Sequence, residues 1–289
     1  MSSVFIVAHH ERDEATTLAR AAIDWLIARG HGVWLCPEDA GALGLDEFAA
    51  ERSPGDADLA LSLGGDGTML RTIKLLDGAD VPVIGVNVGV LGYLTEIDPP
   101  ALLPSLERWF AHTETDGEWN IDERMMLQLT VHRLGGDAPT EHWKALNEVV
   151  LEKGESGHTV RLHVTIDGAP FTSYAADGLI VATPTGSTAY SLSARGPVVS
   201  PAHRAMLLTP VSPHMLFDRT LVLDPSEPIR IEVIGYRPVE VSVDGQRVAR
   251  LNEGDTLDCV PAAETARFVR FGPRHFHQIL KAKFGLNDR

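Results

Sequence analysis

Leu59-Ala60-Leu61-Ser62-Leu63-Gly64-Gly65-Asp66-Gly67-Thr68 decides the fold. An apolar run with the composition of a buried strand breaks into three glycines, one acid and one hydroxyl. Met69, Leu70, Ile73 and Leu76 then fall on one helical face, so the order is strand, glycine turn, helix. Glycine lacks a Cβ, which permits unusual dihedrals and a close backbone approach to a ligand. Turn amides followed by the positive end of a helix dipole make an anion site. Asp66 repels a phosphate there unless it holds a metal or takes a proton from an attacking hydroxyl. The stretch therefore admits two readings: phosphoryl transfer, or a tight turn with a solvated aspartate.

Outward from it, strands alternate with helices. Val4 to Ala8 reads as a first strand, and Ala15, Leu18, Ala22, Ile23 and Leu26 form a helical face running to Gly30 as C-cap. Val33 to Cys36 is a second strand ended by Pro37, with one short helix expected around Asp46 to Glu51. Val83 to Val86 is a fourth strand, and Asp98-Pro99-Pro100 opens a helix that buries Leu102, Leu103, Leu106, Trp109 and Phe110. This alternation predicts a doubly wound, largely parallel sheet.

After the polar stretch His112 to Glu118 the period becomes two. Leu127, Leu129 and Val131 alternate with polar residues, as do Val160 to Ile166, Ile229 to Val233 and Val239 to Val243. Asp167-Gly168 and Asp244-Gly245 mark hairpins. The fold class expected is an N-terminal doubly wound α/β domain plus a mainly antiparallel β C-terminal domain. The bounds expected are 1–118, 119–271, and a tail, 272–289, packing back on the first domain.

Composition narrows the partners. The chain has 289 residues and a formal net charge of −15, which argues against nucleic acid and anionic membranes. It has no apolar run long enough to span a bilayer and no basic leader. Cys36 and Cys259 lie far apart in apolar runs, which fits a reducing cytoplasm. No spacing among the twelve histidines resembles a zinc site, and no side chain is assigned as a metal ligand. His9-His10 follows the first strand, at the end where ligands of open α/β sheets gather.

Two further stretches carry chemistry. Six serines and threonines crowd Thr183 to Ser193, more than a helix cap needs, with Tyr190 among them. They suit ribose and phosphate oxygens, and the tyrosine suits a base, although a capped helix with a polar entry loop fits as well. Asn147-Glu148 interrupts an apolar strand, as a ribose or base contact or as an edge position.

Gly64 to Thr68, Asn87 to Tyr93, Asn147-Glu148 and Asp177 to Ser193 follow one another in the order of the NAD kinases. So do Ser200-Pro201, Pro210 to His214 and Ser242 to Gln246, and the chain resembles that family over most of its length. The glycine motif alone is shared with diacylglycerol and sphingoid-base kinases. The resemblance implies an active site between two domains and phosphoryl transfer from ATP or inorganic polyphosphate to the adenosine 2′-hydroxyl of NAD. It implies a divalent metal, Mg²⁺, bound with the donor, and a cytoplasmic homodimer or homotetramer. By the same resemblance Asp66 is the catalytic proton acceptor, Gly67 lies beside the nucleotide and Arg71 contacts it. Asn147 and Glu148 bind the dinucleotide, and His158 and Asp177 are further binding positions. Thr188, Ala189, Tyr190, Ser191, Leu192 and Ser193 surround the adenosine half, and Gln246 is a late binding residue. Tyr93 stands where the family has an aromatic.

Two positions depart from the pattern. Ala175 replaces an arginine that some members carry, which predicts comparable kcat/KM on NAD and NADH. Arg195 stands where small residues are usual, as a surface charge or an extra phosphate contact. Competing readings are a lipid kinase, disfavoured by the hydroxyl-rich stretch, and a non-catalytic dinucleotide sensor, disfavoured by Asp66. A nicotinamide dehydrogenase lacks its Gly-x-Gly-x-x-Gly after the first strand.

Overall fold

The computed structural model describes residues 1–90, 92–136, 140–155, 157–273 and 275–286. Leu91, inside the quoted Asn87 to Tyr93 stretch, lies outside the described residues, as do Arg274 and 287–289 of the tail. The chain forms two compact units, Met1–Glu123 with Ala266–Arg289, and Arg124–Thr265.

The first unit holds β1 (Ser3–Ala8), α1 (Asp13–Ile27), β2 (Gly32–Trp34), α2 (Pro37–Leu43), β3 (Leu59–Gly64), α3 (Asp66–Leu76), β4 (Val83–Asn87) and α4 (Leu102–Ala111). Its strands are parallel in the order β2-β1-β3-β4. Val4, Ile6, Leu59, Leu61, Leu63, Ile84 and Val86 form one face and pack on α1 and α4. α3 packs on the other, where a side chain at Gly85 would meet Met69 Sδ at 2.7 Å. The sheet is thus covered on both sides, and each large side chain buried in it contributes about 1.5–3 kcal/mol.

Local chemistry moved several boundaries. Pro37 does not merely end the second strand. Its fixed φ opens α2, which Gly44 closes at φ +61, and Asp46–Phe48 is only a 3₁₀ turn. α1 stops at Ile27, and Gly30 follows at φ +79, where its N–H and that of His31 satisfy the carbonyls of Ile27 and Leu26.

The second unit is antiparallel. Its strands are β5 (Asn120–His132), β6 (Glu141–Ala145), β7 (Glu148–Lys153), β8 (Val160–Ile166), β9 (Ala169–Ala176) and β10 (Gly178–Ala182). The short helix α5 (Tyr190–Ser193) precedes β11 (Met206–Val211), β12 (Leu221–Leu223), β13 (Ile229–Val233), β14 (Val239–Val243), β15 (Gln246–Leu251) and β16 (Thr256–Arg270). One sheet runs β12-β11-β10-β7-β14-β15, and the other contains β6, β5, β16, β13, β8 and β9. A single core takes Leu127, Leu129, Leu162 and Ile231 from one sheet and Val149, Leu151, Val181 and Val241 from the other, which makes a sandwich. Strand β5 begins in the first unit, and the end of β16 returns to it, where Phe268 pairs with Val83. The tail helix α6 (Phe276–Lys283) also belongs to the first unit, with Lys283 Nζ 4.0 Å over the Tyr93 ring.

Candidate active site

In the first unit a cleft of roughly 510 Å³ opens at the carboxyl ends of β1 and β3. From β1 the chain leads to β2 on one side, and from β3 to β4 on the other, so the cleft sits at the switch point of the sheet. Residues after β1 (His9, His10, Glu11, Arg12) and after β3 (Gly65, Gly67, Thr68, Arg71) line it.

The glycines work differently from the expectation of unusual dihedrals. None of Gly64, Gly65 and Gly67 has a positive φ, because β3 runs directly into α3 through an extended Gly65, φ −99 and ψ −164. At Gly64 a Cβ would overlap the Thr68 side chain. At Gly65 and Gly67 a Cβ would meet nothing within 4 Å, so these two leave the cleft floor as bare backbone at a helix start.

Asp66 is the first residue of α3, and its carboxylate is fixed. The N–H of Tyr93 donates to Oδ2 at 2.8 Å and that of Leu94 to Oδ1 at 2.9 Å. Gly92 permits this approach, since a Cβ there would overlap Asp66 Oδ1. The Tyr93 phenol is pushed up by its own burial and then by the Asp66 charge.

Arg71 lines the cleft, but its guanidinium is engaged elsewhere. It grips the buried Asp39 carboxylate in a fork, 2.6 Å to each oxygen, and donates to the Ala8 carbonyl at 3.0 Å. His10 Nε2 lies 3.0 Å from the same carboxylate. Arg12 Nη1 donates to the Val88 carbonyl, against Gly89 at φ +114.

The second unit gathers a separate group. Strand alternation puts Glu148 with Val150 on the face of β7 away from the sandwich core, under the segment that contains Tyr190. Asn147 stands just before the strand, with Gly186 against its carbonyl and the Thr183 N–H bonded to it at 2.8 Å. Glu148 is only 6% exposed. Burial first, and then the nearby Asp244 charge, push its carboxyl up to about 8, while the Tyr190 N–H bond works the other way. Lys153 Nζ holds Asp177 at 2.6 Å, and the carboxylates of Glu152 and Asp177, after burial, push the Tyr190 phenol up.

The expected binding residues separate on this geometry. Glu148 is bonded to Tyr190, Asp177 lies near that residue, and Asn147 adjoins Glu148. Gln246 pairs with Val243 directly after the Asp244-Gly245 turn. Instead of one capped helix, a 3₁₀ turn, Thr185–Thr188, leads to the four-residue α5, so Thr188 and Ala189 are half-buried linkers. Ser191 turns inward to Thr209 at 3.0 Å, Leu192 is half-buried and Ser193 is exposed. His158 is exposed in the loop before β8, and among the described residues no hydrogen bond ties it to this group. Arg195 is exposed, at φ +68. Three contributors escaped the sequence: Asp39, Lys153 and the carboxylate of Asp244. Only the last had a signal, its place in the quoted Ser242 to Gln246 stretch.

Comparison with known proteins joins the two halves of the chain to one family. Residues 4–114 match the family model described as the ATP-NAD kinase N-terminal domain, and residues 146–271 match the ATP-NAD kinase C-terminal domain. The NAD kinase of Syntrophotalea carbinolica is 37% identical over 292 residues, spanning all of both chains. That of Heliobacterium modesticaldum is 39% identical over 290 residues, 98% of each. Among solved structures, yeast NADH kinase complexed with NADH superposes with a TM-score of 0.86 at 26% identity, covering 100% of this chain and 89% of that one. An Archaeoglobus fulgidus NAD kinase in complex with ATP shares the fold, with a TM-score of 0.70 at 21% identity over 99% of this chain and 98% of the other.

Proposed function

This chain belongs to the NAD kinase family and phosphorylates NAD, and we propose that it takes the phosphoryl group from ATP, with Asp66 accepting the proton of the adenosine 2′-hydroxyl. The observation that supports this role most is the fixed Asp66 carboxylate. Each of its oxygens accepts one backbone N–H from Tyr93 or Leu94, which leaves lone pairs for a hydroxyl without letting the group swing. In the step proposed, the 2′-oxygen attacks the terminal phosphorus and the bond from that phosphorus to the bridging oxygen breaks. ADP leaves, and the hydroxyl proton passes to Asp66. Such positioned acid–base help is worth about 10²–10⁴ in rate. Bare amides at Gly65 and Gly67 and the start of α3 suit the donor phosphates. In the second unit Asn147 and Glu148 are assigned to the dinucleotide, with Asp177 and Tyr190 beside them.

Mg²⁺ is proposed to arrive on the donor. Among the described residues no three His, Cys, Asp or Glu are grouped to hold a metal. That suits a cation held largely by substrate phosphates with one or two carboxylates, whose contribution is to neutralise phosphate charge. The description ATP-NAD kinase favours ATP over inorganic polyphosphate. Among the described residues no helix is long and apolar enough to cross a membrane. Two free cysteines favour the cytoplasm, and membership of the NAD kinase family favours a homodimer or homotetramer.

The test is purified protein with NAD or NADH, ATP or polyphosphate and Mg²⁺, read by an NADP-specific dehydrogenase. Product with ATP is expected. No 2′-phosphorylated product with any donor overturns the function, and product from polyphosphate alone overturns the donor.

A further inference from the structure

Asp244 lies at the first position of a turn, at φ +46, yet its carboxylate points to the chain that carries Asn147 and Glu148. Three successive backbone donors converge on it: Leu146 N–H to Oδ2 at 2.8 Å, Asn147 N–H to Oδ1 at 2.8 Å and Glu148 N–H to Oδ1 at 3.0 Å. The Asp244 N–H returns a bond to the Glu148 carbonyl at 3.0 Å. Such donors favour the ionised carboxylate, and the Asp244 charge is, after burial, the second cause that pushes Glu148 up.

Glu148 is the neighbour that must yield. It has one backbone donor, from Tyr190, and among the described residues its buried Oε2 has no partner. Lys153 is paired with Asp177, and the Tyr190 phenol is pushed up by its own burial and then by Glu152 and Asp177. Two adjacent carboxyls cannot both ionise cheaply in a buried place, and the proton goes to the one with fewer donors.

Resting on the assignment of Asn147 and Glu148 to NAD, we propose that Asp244 is a positioning residue for this pair and that it keeps Glu148 as a neutral acid, so that the pair meets NAD without a second buried charge. The neutral acid also avoids repelling the NAD pyrophosphate. NAD affinity then falls as pH rises through about 8, the value to which Glu148 is pushed.

The experiment has two arms. Infrared titration of the apo protein follows the protonated carboxyl band in wild type, Glu148→Gln and Asp244→Asn. Calorimetry follows NAD affinity between about pH 6.5 and 9.5. A band lost near pH 8 in wild type, absent in Glu148→Gln and lost at lower pH in Asp244→Asn is expected. In wild type, affinity should fall about tenfold from pH 7 to 9. In Glu148→Gln, which is neutral throughout, it should stay flat. Asp244→Asn should raise KM for NAD about tenfold or more, with kcat little changed. Glu148 already ionised at pH 7, or Glu148→Gln abolishing NAD binding at neutral pH, overturns the proposal. Failure to make NADP sinks the functional assignment alone, because the infrared arm still decides where the proton sits.

Discussion

Two hairpins in the second unit carry the same dipeptide and the same turn, and differ in what the aspartate holds. Asp167-Gly168 joins β8 to β9, with φ +49 and +74, and Asp244-Gly245 joins β14 to β15, with φ +46 and +80. Both are two-residue turns with left-handed residues at both centres, the geometry that matches strand twist. At Asp167 the side chain is exposed. At Asp244 it collects three amides from a strand entrance, one of them 97 residues earlier in the chain. The dipeptide dictates the backbone of the turn. What the carboxylate then does is decided by the strand laid beside it.

The sharpest way to extend the contrast is a third pair, Asp66-Gly67, where the aspartate opens a helix instead of a turn. Like Asp244, Asp66 receives backbone amides, so it could be purely structural. Asp66→Asn should lower kcat by about 10²–10⁴ while NAD still binds, measured by steady-state kinetics and calorimetry. A few-fold loss would make Asp66 a holder of backbone and nothing more. Next in size is Asp244→Asn, which replaces an anion under three donors by an amide with a single acceptor oxygen. It should cost about 2 kcal/mol in urea unfolding, and a loss below 0.5 kcal/mol would equate the two hairpins.

The same contrast shows what was legible. Strand and helix order in the first unit followed from the periodicity around Leu59 to Leu76, and both hairpins followed from Asp-Gly. The glycine loop and its open backbone are legible in the sequence, but the unusual dihedrals expected of it are absent. Gly64 makes room for Thr68, and Gly65 and Gly67 leave open backbone, all without a positive φ. Pro37 reads as the end of a strand, yet it opens α2. Asn147-Glu148 stood out as polar residues in an apolar run. Their anchor did not, because its partners are set by the β7-β14 pairing and not by neighbours in the chain. Ser191 looked like its exposed neighbours because composition cannot show that a single turn of helix points it inward to Thr209.

A smaller effect comes from a left-handed residue of the wrong kind. Arg195 sits at φ +68, a region that costs most side chains about 1–2 kcal/mol, and it is exposed. Arg195→Gly removes that strain but loosens the unfolded chain, so a net gain of about 0.5–1 kcal/mol in urea unfolding is expected. A destabilised variant would show that the arginine makes a contact worth more than its strain.

The smallest expected effect is the one on which the comparison depends most. Asp167→Asn makes the same chemical change as Asp244→Asn at the same position of the same turn. Asparagine tolerates the left-handed region as well as aspartate does, so the turn keeps its backbone. The ladder is untouched, since the Asp167 N–H still donates to the Pro228 carbonyl at 3.0 Å. The carboxylate lost is exposed, and its removal relieves one of the negative charges behind the net −15. Stability should therefore stay within about 0.5 kcal/mol, with KM for NAD unchanged. A loss above about 1 kcal/mol in urea unfolding would mean that the Asp167 carboxylate also holds backbone, and that the difference between the two hairpins is one of degree.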